Sequence, residues 1–527
     1  MRKIITIDCE TDPFLYLRQP RPYLWAAYSL EDGFLTFKTA KALIEYLAPQ
    51  KAVVYAHNGG KFDFLFLLEF LNENDKIKII NGRLSQFKIG NAEFRDSFLI
   101  LPVALKGYKK DTIDYSIMEK GERDKPHNMK KILKYLYGDV VYLHEYVSAF
   151  VETYGPKLTL AGAAIDQVKK IVAVDIPKGT RGFFTTYKQF YFGGRVECLA
   201  NGVINETLEV YDINSAYPYA MIHDHATGEN VFIGDYLPAL DVDIQKSFIE
   251  LTAESRGAFP VASKNGVDFP NDGEIRNFKI TGWEYIAARD LGMLKRPKIK
   301  SVHYFAKTIN FKPYVGHFFK IKQDAPDGSA ARQMAKLLLN SAYGRYGIDG
   351  SKFLEYIVVA PDKIDETHAT TKYRYLCRAS NWALMAREVD ETRQTYHNVA
   401  TAASVTGFVR AYLLRAYKKS SGVAYMDTDS LVCKNFVGKV GVDLGQWKHE
   451  FTATRSAFYA KKGYALTNGK KEKLASKGAR LTRAEIFKLA RGEQVEYFQA
   501  APTMGIKTGV KFISRKINNT NVKKAAQ

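Results

Sequence analysis

Two aspartates stand one residue apart inside an otherwise apolar stretch, AYMDTDSLV at residues 424–432. If Asp427 and Asp429 are partly buried, they need a cation beside them, because an unpaired buried charge is costly. A third carboxylate, Asp212 in VYDINSAYP, also emerges from an apolar strand-like segment. The three would meet if their strands are neighbours in one antiparallel sheet, where their oxygens would suit magnesium and its bridge to substrate phosphates. The alternative is a solvated edge or turn.

The first third of the chain carries three more acidic motifs. In IDCETD, Asp8 and Glu10 share one face of a predicted strand, since strand side chains alternate. Asp63 opens the apolar run of HNGGKFDFLFLL, and in KYLYGDVVYL Tyr135 and Asp139 lie one helical turn apart. Four carboxylates converging from two strands and a helix would hold two divalent cations for phosphodiester hydrolysis, with Tyr135 orienting the water. Taken alone, each motif is more often a solvated group.

The segment DGSAARQMAKLLLNSAYGRYG predicts a helix over residues 329–346. At about 100° per residue, Arg332, Lys336, Asn340 and Tyr343 fall on one face. Two cations one turn apart could read a triphosphate, and the ring could stack on a base. The alternative is a solvated stripe on an amphipathic helix, for which the asparagine and tyrosine are poor choices.

The formal net charge of +21 and the pI near 9.4 favour a polyanionic partner, nucleic acid above all. Residues 451–527 hold 17 Lys and Arg against 4 Asp and Glu, so this region either faces phosphate or is a soluble basic tail. The 33 Tyr and 32 Phe suit stacking on single-stranded bases, although most rings of any globular chain are core.

Cysteine spacing and hydropathy indicate the cellular compartment of the protein. Cys9, Cys198, Cys377 and Cys433 are scattered without paired spacing, which predicts neither a zinc site nor a disulfide framework. The sequence shows no secretory signal and no apolar run of about 18 residues, so we expect a cytoplasmic protein without a membrane span.

Hydrophobic periodicity predicts several domains. KIITID, AVVYAH and FRDSFLIL predict strands and residues 128–150 a helix, which together indicate an α/β unit ending near 155–160. LEVYDINSAYP predicts a further strand and residues 396–418 a helix. Residues 225–315 and 349–395 follow no dominant period and are interpreted as insertions.

These motifs resemble those of family B DNA polymerases. The proofreading motifs are matched by Asp8 with Glu10, Asn58 with Asp63, and Tyr135 with Asp139. DINSAYP, KLLLNSAYG and YMDTDS resemble the three polymerase motifs in the family's order. The likeness spans nearly the whole chain and implies a DNA-directed DNA polymerase with a 3'-5' exonuclease.

Narrower features resemble the protein-primed branch found in small bacteriophages and linear plasmids. YFGGR, with Tyr191, Gly193 and Gly194, is similar to the motif that coordinates the two sites, and Lys462 and Tyr464 of AKKGY to the motif that holds the primer terminus. The two insertions lie where that branch carries its terminal-protein regions. The resemblance therefore implies initiation on a terminal protein, with strand displacement.

The resemblance also implies roles for single residues of the polymerase half. Asp212 and Asp429 become the main metal ligands, with Asp427 a secondary carboxylate. Tyr217 would pack under the sugar, Tyr343 would complete the base-pair pocket, and Lys336 and Arg332, with Asn340 on the same face, would contact the incoming nucleotide. Lys322 is a weaker match. Further residues of the polymerase motifs expected against DNA are Ser215, Ser341, Gly344 and Thr428.

In the nuclease half, the resemblance makes Asp8, Glu10, Asp63 and Asp139 the metal ligands, with Tyr135 and Lys110 also catalytic. Single-stranded DNA would be held by the residues Asn58, His57, Phe62 and Ser97.

The implied fold is α/β and α+β multidomain, a ribonuclease H-like exonuclease followed by a right-hand polymerase with two insertions. The expected boundaries are exonuclease 1–158, palm 159–222 and 396–480, first terminal-protein region 223–312, fingers 313–348, second terminal-protein region 349–395, and thumb 481–527.

The implied cofactor is Mg²⁺ or Mn²⁺, two ions per active site. The implied partners are primer-template DNA, a displaced single strand, deoxynucleoside triphosphates and a terminal protein, with the chain a monomer. Three alternatives stay open: a polymerase using ordinary nucleic-acid primers, an exonuclease with a degenerate polymerase half, and a non-catalytic nucleic-acid-binding scaffold.

Overall fold

The computed structural model describes residues 2–14, 17–73, 75–103, 113–172, 178–264, 266–379 and 381–520. Lys110, predicted as a catalytic lysine, lies outside these ranges. Within them, no helix is both long enough and apolar enough to cross a membrane.

The N-terminal unit is a twisted sheet covered by one long helix. Strands β1, β4 and β7 are mutually parallel, and the sheet order is β5-β6-β7-β4-β1-β2-β3. Helix α2 starts at a proline, where no backbone N–H is lost, and the Thr6 hydroxyl donates to its Val140 carbonyl at 2.7 Å. The elements are β1 (Lys3–Thr11), β2 (Pro22–Ser29), β3 (Gly33–Phe37), α1 (Ala40–Leu47), β4 (Ala52–Ala56), β5 (Lys76–Ile80), β6 (Arg83–Ile89), β7 (Ala92–Asp96) and α2 (Pro126–Tyr154).

One predicted strand is shorter than expected. FRDSFLIL was assigned to a strand throughout, but β7 ends at Asp96 and a 3-10 turn follows over Ser97–Leu99. The Asp96 carboxylate accepts the Phe98 N–H at 3.0 Å, which caps the turn and ends the strand. The predictions for KIITID, AVVYAH and the helix over 128–150 are confirmed.

The chain then passes through short elements into a second sheet. The strand predicted over LEVYDINSAYP is shorter than expected, because β11 ends at Ile213. Ser215 adopts a left-handed φ of 53°, and the chain turns there into a short helix that begins at Ala216. The elements are α3 (Leu160–Val172), β8 (Lys178–Gly179), α4 (Arg181–Tyr187), β9 (Val196–Cys198), β10 (Gly202–Ile204), β11 (Leu208–Ile213) and α5 (Ala216–Met221).

Residues 223–312, predicted as an insertion and named here the 223–312 unit, contain four antiparallel strands in the order β12-β17-β13-β16. The core beside these strands includes Phe259, Phe278 and Ile280, and Ala411 and Leu414 of a later helix also belong to it. The elements are β12 (His225–Gly234), α6 (Asp241–Gln245), β13 (Ser247–Glu254), β14 (Val261–Ser263), β15 (Gly266–Asp268), β16 (Arg276–Thr281), α7 (Gly282–Asp290) and β17 (Lys295–Ile309).

A helical hairpin follows, and then a segment that returns to the N-terminal unit. Helices α8 (Lys312–Asp324) and α9 (Ala330–Tyr346) pack together, with the Tyr314 hydroxyl donating to the Leu338 carbonyl at 2.8 Å. β18 then pairs with β5, and the order β19-β20-β18-β5 extends the first sheet to ten strands. The elements of this segment are β18 (Leu354–Val359), α10 (Ile364–Thr370), β19 (Arg374–Arg378) and β20 (Ala383–Glu388).

The long helix α11 is buried along most of its length and leads into the strand that carries Asp427. A five-stranded sheet has the order β24-β11-β23-β22-β9, and a four-stranded sheet the order β10-β25-β26-β27. The elements are β21 (Tyr396–His397), α11 (Val399–Lys419), β22 (Tyr425–Asp427), β23 (Ser430–Cys433), β24 (Trp447–Ala453), β25 (Arg455–Ala460), β26 (Gly463–Thr467) and β27 (Glu472–Ser476).

The C-terminal part is a helix and a long hairpin, α12 (Arg483–Ala490), β28 (Val495–Gly505) and β29 (Gly509–Ile517). The hairpin tip reaches the 349–395 segment, where Lys507 Nζ donates to the Tyr356 hydroxyl at 3.0 Å and Cys377 Sγ lies 3.2 Å from the Ile506 carbonyl oxygen.

Candidate active sites

Two neighbouring strands bring the polymerase-motif carboxylates together. β11 and β23 are antiparallel with Asp212 opposite Ser430, and the Ile213 N–H donates to the Asp429 carbonyl at 2.8 Å. Asp427 ends β22, and the hairpin between β22 and β23 turns at Thr428, whose φ is 60°. The prediction that these strands are neighbours in one antiparallel sheet is confirmed, and Asp429 lies close enough to Asp212 and to Asp427 for their charges to interact. Among the described residues, however, the three carboxylates do not form a group whose oxygens all lie within 4.8 Å of one another.

Neighbouring cations compensate the charges of Asp212 and Asp429 only in part. Burial, and next to it the charge of Asp429, raises the pKa of Asp212 to about 7. Burial and Asp427 likewise raise the pKa of Asp429. Among the described residues, Asp212 Oδ1 is buried without a hydrogen-bond partner. Two half-buried acids, one of them with an open oxygen, fit a hard divalent cation, which prefers carboxylate ligands.

Asp427 differs because it is already paired. Lys462 Nζ lies 2.8 and 2.7 Å from its two carboxylate oxygens, and the Thr428 and Tyr425 hydroxyls donate to them at 3.0 and 3.3 Å. The Lys462 N–H donates to the Tyr425 hydroxyl at 2.9 Å, and the Tyr464 ring lies 4.8 Å from the Tyr425 ring. The KxY residues predicted from the sequence therefore lie at this site, although their DNA contacts stay a prediction.

Helices α5 and α9 form the opposite wall. The rings of Tyr217 and Tyr343 stack at 4.1 Å with an interplanar angle of 12°. Lys322 Nζ donates to the Ser215 hydroxyl at 3.3 Å, and burial followed by the charges of Lys336 and Arg332 lowers the pKa of Lys322. Three cations therefore gather at one end of α9, and Lys322, the weak match in the sequence, lies among them.

Several predicted nucleotide or DNA contacts of α9 are engaged within the protein. Arg332 donates to the Lys322 carbonyl and to the Ala325 carbonyl at 3.2 Å, and its Nε lies 2.9 Å from Asp327. The side chains of Asn340 and Ser341 donate to carbonyls one turn back, at 2.9 and 2.7 Å. Gly344 lies in the last turn of the same helix. Their roles in substrate binding stay predictions.

The YFGGR segment runs between α9 and the Asp427–Asp429 turn. A Cβ at Gly347, just past α9, would lie 2.5 Å from the Tyr191 ring, and one at Gly194 would lie 2.6 Å from Thr428 Oγ1. The Thr428 N–H donates to the Arg195 carbonyl at 2.7 Å. Glycine at 194 is therefore required by close approach to the turn.

The second acidic group lies where β1 meets α2. Asp8, Glu10 and Asp139 each offer a carboxylate oxygen, and these atoms all lie within 4.8 Å of one another. The Tyr135 and Tyr115 hydroxyls are 3.3 Å apart, and burial raises the pKa of Tyr135. The predicted convergence of these three carboxylates is confirmed, and three carboxylates this close fit a divalent cation.

Asp63 lies beside this group on a 3-10 turn. Its Oδ1 accepts the Cys9 N–H at 3.2 Å, on the strand residue between Asp8 and Glu10. Burial raises its pKa to about 6. It is outside the set whose oxygens lie within 4.8 Å, so its place as a metal ligand stays a prediction.

The predicted DNA-binding residues of the N-terminal unit cluster around the same edge. Asn58 has a φ of 65°, and its Oδ1 accepts from Arg83 at 2.7 Å. His57 Nδ1 lies 3.1 Å from the hydroxyl of Ser97, which is fully buried. The Phe62 ring packs edge-on against Phe66 at 5.4 Å. Contacts of these residues with single-stranded DNA stay predictions.

Sequence reasoning missed several charged residues that support these sites. Arg83 holds Asn58 and pairs with buried Asp96 at 2.8 Å. Lys473 pairs with Glu450 at 2.8 Å, and both charges act on Asp212. Arg410 of α11 is buried and donates to Glu284 and to the Phe192 carbonyl of YFGGR. It could have been found, because it is an arginine in the apolar helical run SVTGFVRAYLL. The others carry no local signal.

The amino-acid sequence is similar to those of known DNA polymerases. A model of the family "DNA polymerase type B, organellar and viral" matches residues 104–421. The DNA-directed DNA polymerase of Enterobacteria phage PRD1 is 33% identical, with 98% of each chain covered. The DNA polymerase of Bacillus phage phi29 is 25% identical over 88% of this chain and 86% of its own.

The fold itself has a solved counterpart. The structure of phi29 DNA polymerase complexed with primer-template DNA and incoming nucleotide substrates superposes with a TM-score of 0.74 and 17% identity, covering 99% of this chain and 100% of that one. A second structure, complexed with single-stranded DNA, gives a TM-score of 0.74 at 18% identity, with 99% and 100% covered.

The fold is therefore that of a multidomain polymerase, an exonuclease unit followed by palm, fingers and thumb, as the motifs predicted. The chain belongs to the type B DNA polymerases of organellar and viral kind, in the branch represented by the PRD1 and phi29 polymerases, and is a DNA-directed DNA polymerase. Members of this family use divalent metal ions.

Proposed function

We propose that this polymerase joins template-directed DNA synthesis at Asp212, Asp427 and Asp429 with 3'-5' proofreading at Asp8, Glu10, Asp63 and Asp139. The observation that carries the proposal is the presence of two acidic groups on two different sheets, each gathered from positions far apart in the chain. We retain the predicted domain limits as part of it.

At the synthesis site, Asp212 and Asp429 would hold magnesium or manganese, and two ions per site are proposed. When bound, the metal would lower the pKa of the attacking 3'-hydroxyl and stabilise charge on the phosphate. Lys462 keeps Asp427 paired beside the metal ligands and would meet the primer terminus. The stacked Tyr217 and Tyr343 support a base and sugar pocket.

Recognition of the incoming triphosphate would come from the cationic end of α9. Lys336, Lys322 and Arg332 lie close enough for their charges to interact, and Lys322 reaches Ser215 just after the metal-ligand strand. A cluster of cations beside two carboxylates suits a metal-bound polyphosphate, because each group neutralises a different part of it.

At the exonuclease site, Asp8, Glu10 and Asp139 would hold the metal, with Asp63 beside them. The raised pKa of Tyr135 keeps its hydroxyl protonated, so it could donate to or orient a water. The pocket edge formed by Asn58, His57 and Phe62 is proposed to receive the single-stranded 3' end.

Initiation is proposed to use a hydroxyl on a terminal protein, followed by strand displacement through the duplex. Support comes from YFGGR, AKKGY and the two inserted regions, and from the likeness to the phage polymerases. The proposed partners also include primer-template DNA, the displaced strand and deoxynucleoside triphosphates, with the enzyme acting as a monomer. Priming on ordinary nucleic acid is the second candidate.

Two substitutions separate the sites. Asp429→Ala should abolish primer extension, by about 10³-fold or more, while digestion of single-stranded DNA continues, and Asp8→Ala should do the reverse. Both activities are measured on labelled oligonucleotides with magnesium present. Loss of both activities in each variant, with an unchanged unfolding transition, would refute the two-site proposal.

Protein priming needs its own assay. The polymerase is incubated with a blunt linear origin fragment, labelled deoxynucleotide and the candidate partner, and protein-bound label is sought. Label that forms only with partner and origin present supports protein priming. Extension of ordinary primers without any protein-bound label favours the second candidate.

A further inference from the structure

One buried guanidinium ties the 223–312 unit to the YFGGR segment. Arg410 of α11 is 2% exposed. Its Nε and Nη2 donate to Glu284 Oε1 and Oε2 at 2.7 and 3.0 Å, and its Nη1 donates to the carbonyls of Phe192 and Gly193 at 2.6 and 2.9 Å. Because a buried charge is costly unless fully paired, these four bonds fix the guanidinium between two parts of the chain.

Glu284 is itself held by the start of α7. Its Oε2 accepts from the Thr281 N–H at 3.1 Å and from the Thr281 hydroxyl at 2.9 Å, which forms a capping box. Helices α7 and α11 pack closely there, since a Cβ at Gly407 would lie 2.2 Å from Thr281 Oγ1. Arg410 therefore cannot shift independently of the 223–312 unit.

The other end of the connection reaches the metal-ligand turn. The carbonyls held by Arg410 directly precede Gly194, which contacts Thr428, and Arg195, whose carbonyl accepts the Thr428 N–H. Thr428 stands between Asp427 and Asp429 in a left-handed conformation. A displacement of residues 192–193 would consequently move the two aspartates.

The 223–312 unit also contacts the segment that carries Lys462. Lys461 Nζ donates to Asp268 Oδ1 at 2.6 Å and to the Val267 carbonyl at 2.8 Å, and the next residue, Lys462, pairs with Asp427. The 223–312 unit thus contacts both segments that flank the Asp427–Asp429 turn.

We propose that Arg410, through Glu284, is a positioning residue for the polymerase carboxylates, and that the 223–312 unit thereby sets the geometry of the metal-ligand turn. This rests on the proposed synthesis site. It follows that binding of a partner to that unit is felt at Asp427 and Asp429 through the arginine, without any partner residue entering the site.

The test compares two variants with a matched control in the full-length enzyme. Glu284→Gln keeps the helix cap, since glutamine also serves in a capping box, but removes the charge that pairs with Arg410. Arg410→Lys keeps the charge but cannot make the four bonds. The control is Arg415→Lys, because Arg415 joins the same two helices through Asp290 at 3.1 Å in an exposed position.

Two quantities are measured, hydrogen exchange of the peptide containing Thr428 and the Mg²⁺ concentration for half-maximal primer extension. In Glu284→Gln and Arg410→Lys we expect exchange at Thr428 to speed up by about tenfold and the Mg²⁺ requirement to rise by about fivefold. Exchange in α2 and digestion of single-stranded DNA should not change. Arg415→Lys should behave as the unaltered enzyme in every readout.

Three results overturn the proposal. The first is unchanged hydrogen exchange at Thr428 in Glu284→Gln. If Arg410→Lys fails to fold, this result alone decides against the proposal. The second is faster exchange throughout the chain, α2 included, which would make the ion pair merely structural. The third is the same change in the Arg415→Lys control. Extension retained by Asp429→Ala would instead refute the synthesis site, so the two failures are distinguishable.

Discussion

The two acidic groups of this polymerase are supported by cations in different ways. In the palm, Lys462 pairs directly with Asp427, and Lys473 acts on Asp212 from a pair with Glu450. In the N-terminal unit, Arg83 acts one step further out, on Asn58 and Asp96. A lysine therefore pairs directly with one palm carboxylate, whereas a half-buried arginine holds Asn58 and Asp96 at the edge of the proposed exonuclease site.

The backbone differs as well. Asp8 and Glu10 lie on a continuous strand and Asp139 on a long helix, so the three carboxylates that converge at the proposed exonuclease site belong to regular elements. Asp427 and Asp429 flank a tight turn whose central residue has a φ of 60°. The turn is held by contacts from YFGGR and AKKGY, which makes the palm group dependent on distant segments.

Among the cations that support the two sites, Lys462 should give the largest effect. Lys462→Met removes the cation paired with Asp427 and should lower primer extension roughly 10²-fold. The reason is that the negative charge of Asp427 is then left without its partner beside the proposed metal ligands. Digestion of single-stranded DNA should be unchanged. Lys471→Met, at an exposed position in the next loop, serves as the control. An equal fall in both activities would show that the lysine supports folding instead.

Substitution of Arg83 should have a smaller effect, and it should lower digestion of single-stranded DNA instead of primer extension. Arg83→Gln leaves the buried Asp96 carboxylate without its ion pair and frees Asn58, so digestion should fall about tenfold and the stability of the N-terminal unit by about 3 kcal/mol. Primer extension should persist. Arg83→Lys, which keeps the charge, should recover part of the stability. If primer extension falls as much as digestion, Arg83 does not act on the proposed exonuclease site alone.

The smallest expected effect is a pH dependence of stability. Burial and Asp429 raise the pKa of Asp212 from its ordinary 3.8 to about 7, so the folded chain binds a proton that the unfolded chain has released. Metal-free stability should therefore fall as pH rises from about 4 to 7. At pH 8 in chelator, Asp212→Asn should be about 1 kcal/mol more stable than the unaltered chain, a value reduced because the carboxyl is partly solvated.

The measurement is urea unfolding across that pH range, with exposed Asp362→Asn as the control. Added magnesium should recover stability in the unaltered chain and have less effect in Asp212→Asn. A variant less stable than the unaltered chain at pH 8 would show that the Asp212 carboxylate is compensated by other groups.

Local pattern predicted the strongly periodic elements well. The helices over 128–150, 329–346 and 396–418 correspond to α2, α9 and α11, because each carries a long apolar face. The third prediction began too early, since Tyr396–His397 forms β21 and Asn398 caps α11. FRDSFLIL was assigned to a strand throughout because its apolar residues continue past Asp96. The aspartate cap that ends the strand depends on one side-chain bond, which hydrophobic periodicity does not register.

The insertions show the limit of such reasoning. Residues 349–395 were interpreted as an irregular insertion at the place of the second terminal-protein region, and no strand was predicted in them, yet β18 joins β5 and extends the N-terminal sheet. Strand pairing between segments nearly 300 residues apart is decided by the backbone edges that meet after folding. Short mixed-polarity strands carry no periodic signal of that choice.

The sequence by itself predicted the kind of site and the class of enzyme: carboxylates in apolar strand segments predict cation sites because buried charge needs a counter-ion, and the order of the motifs predicted a DNA polymerase. Only the tertiary structure decided what supports them. Lys462 on Asp427, Arg83 on Asp96, and Arg410 between Glu284 and the YFGGR carbonyls are long-range pairings. Such pairs form where folding brings distant side chains within a few ångströms, and that proximity is absent from the linear order of residues.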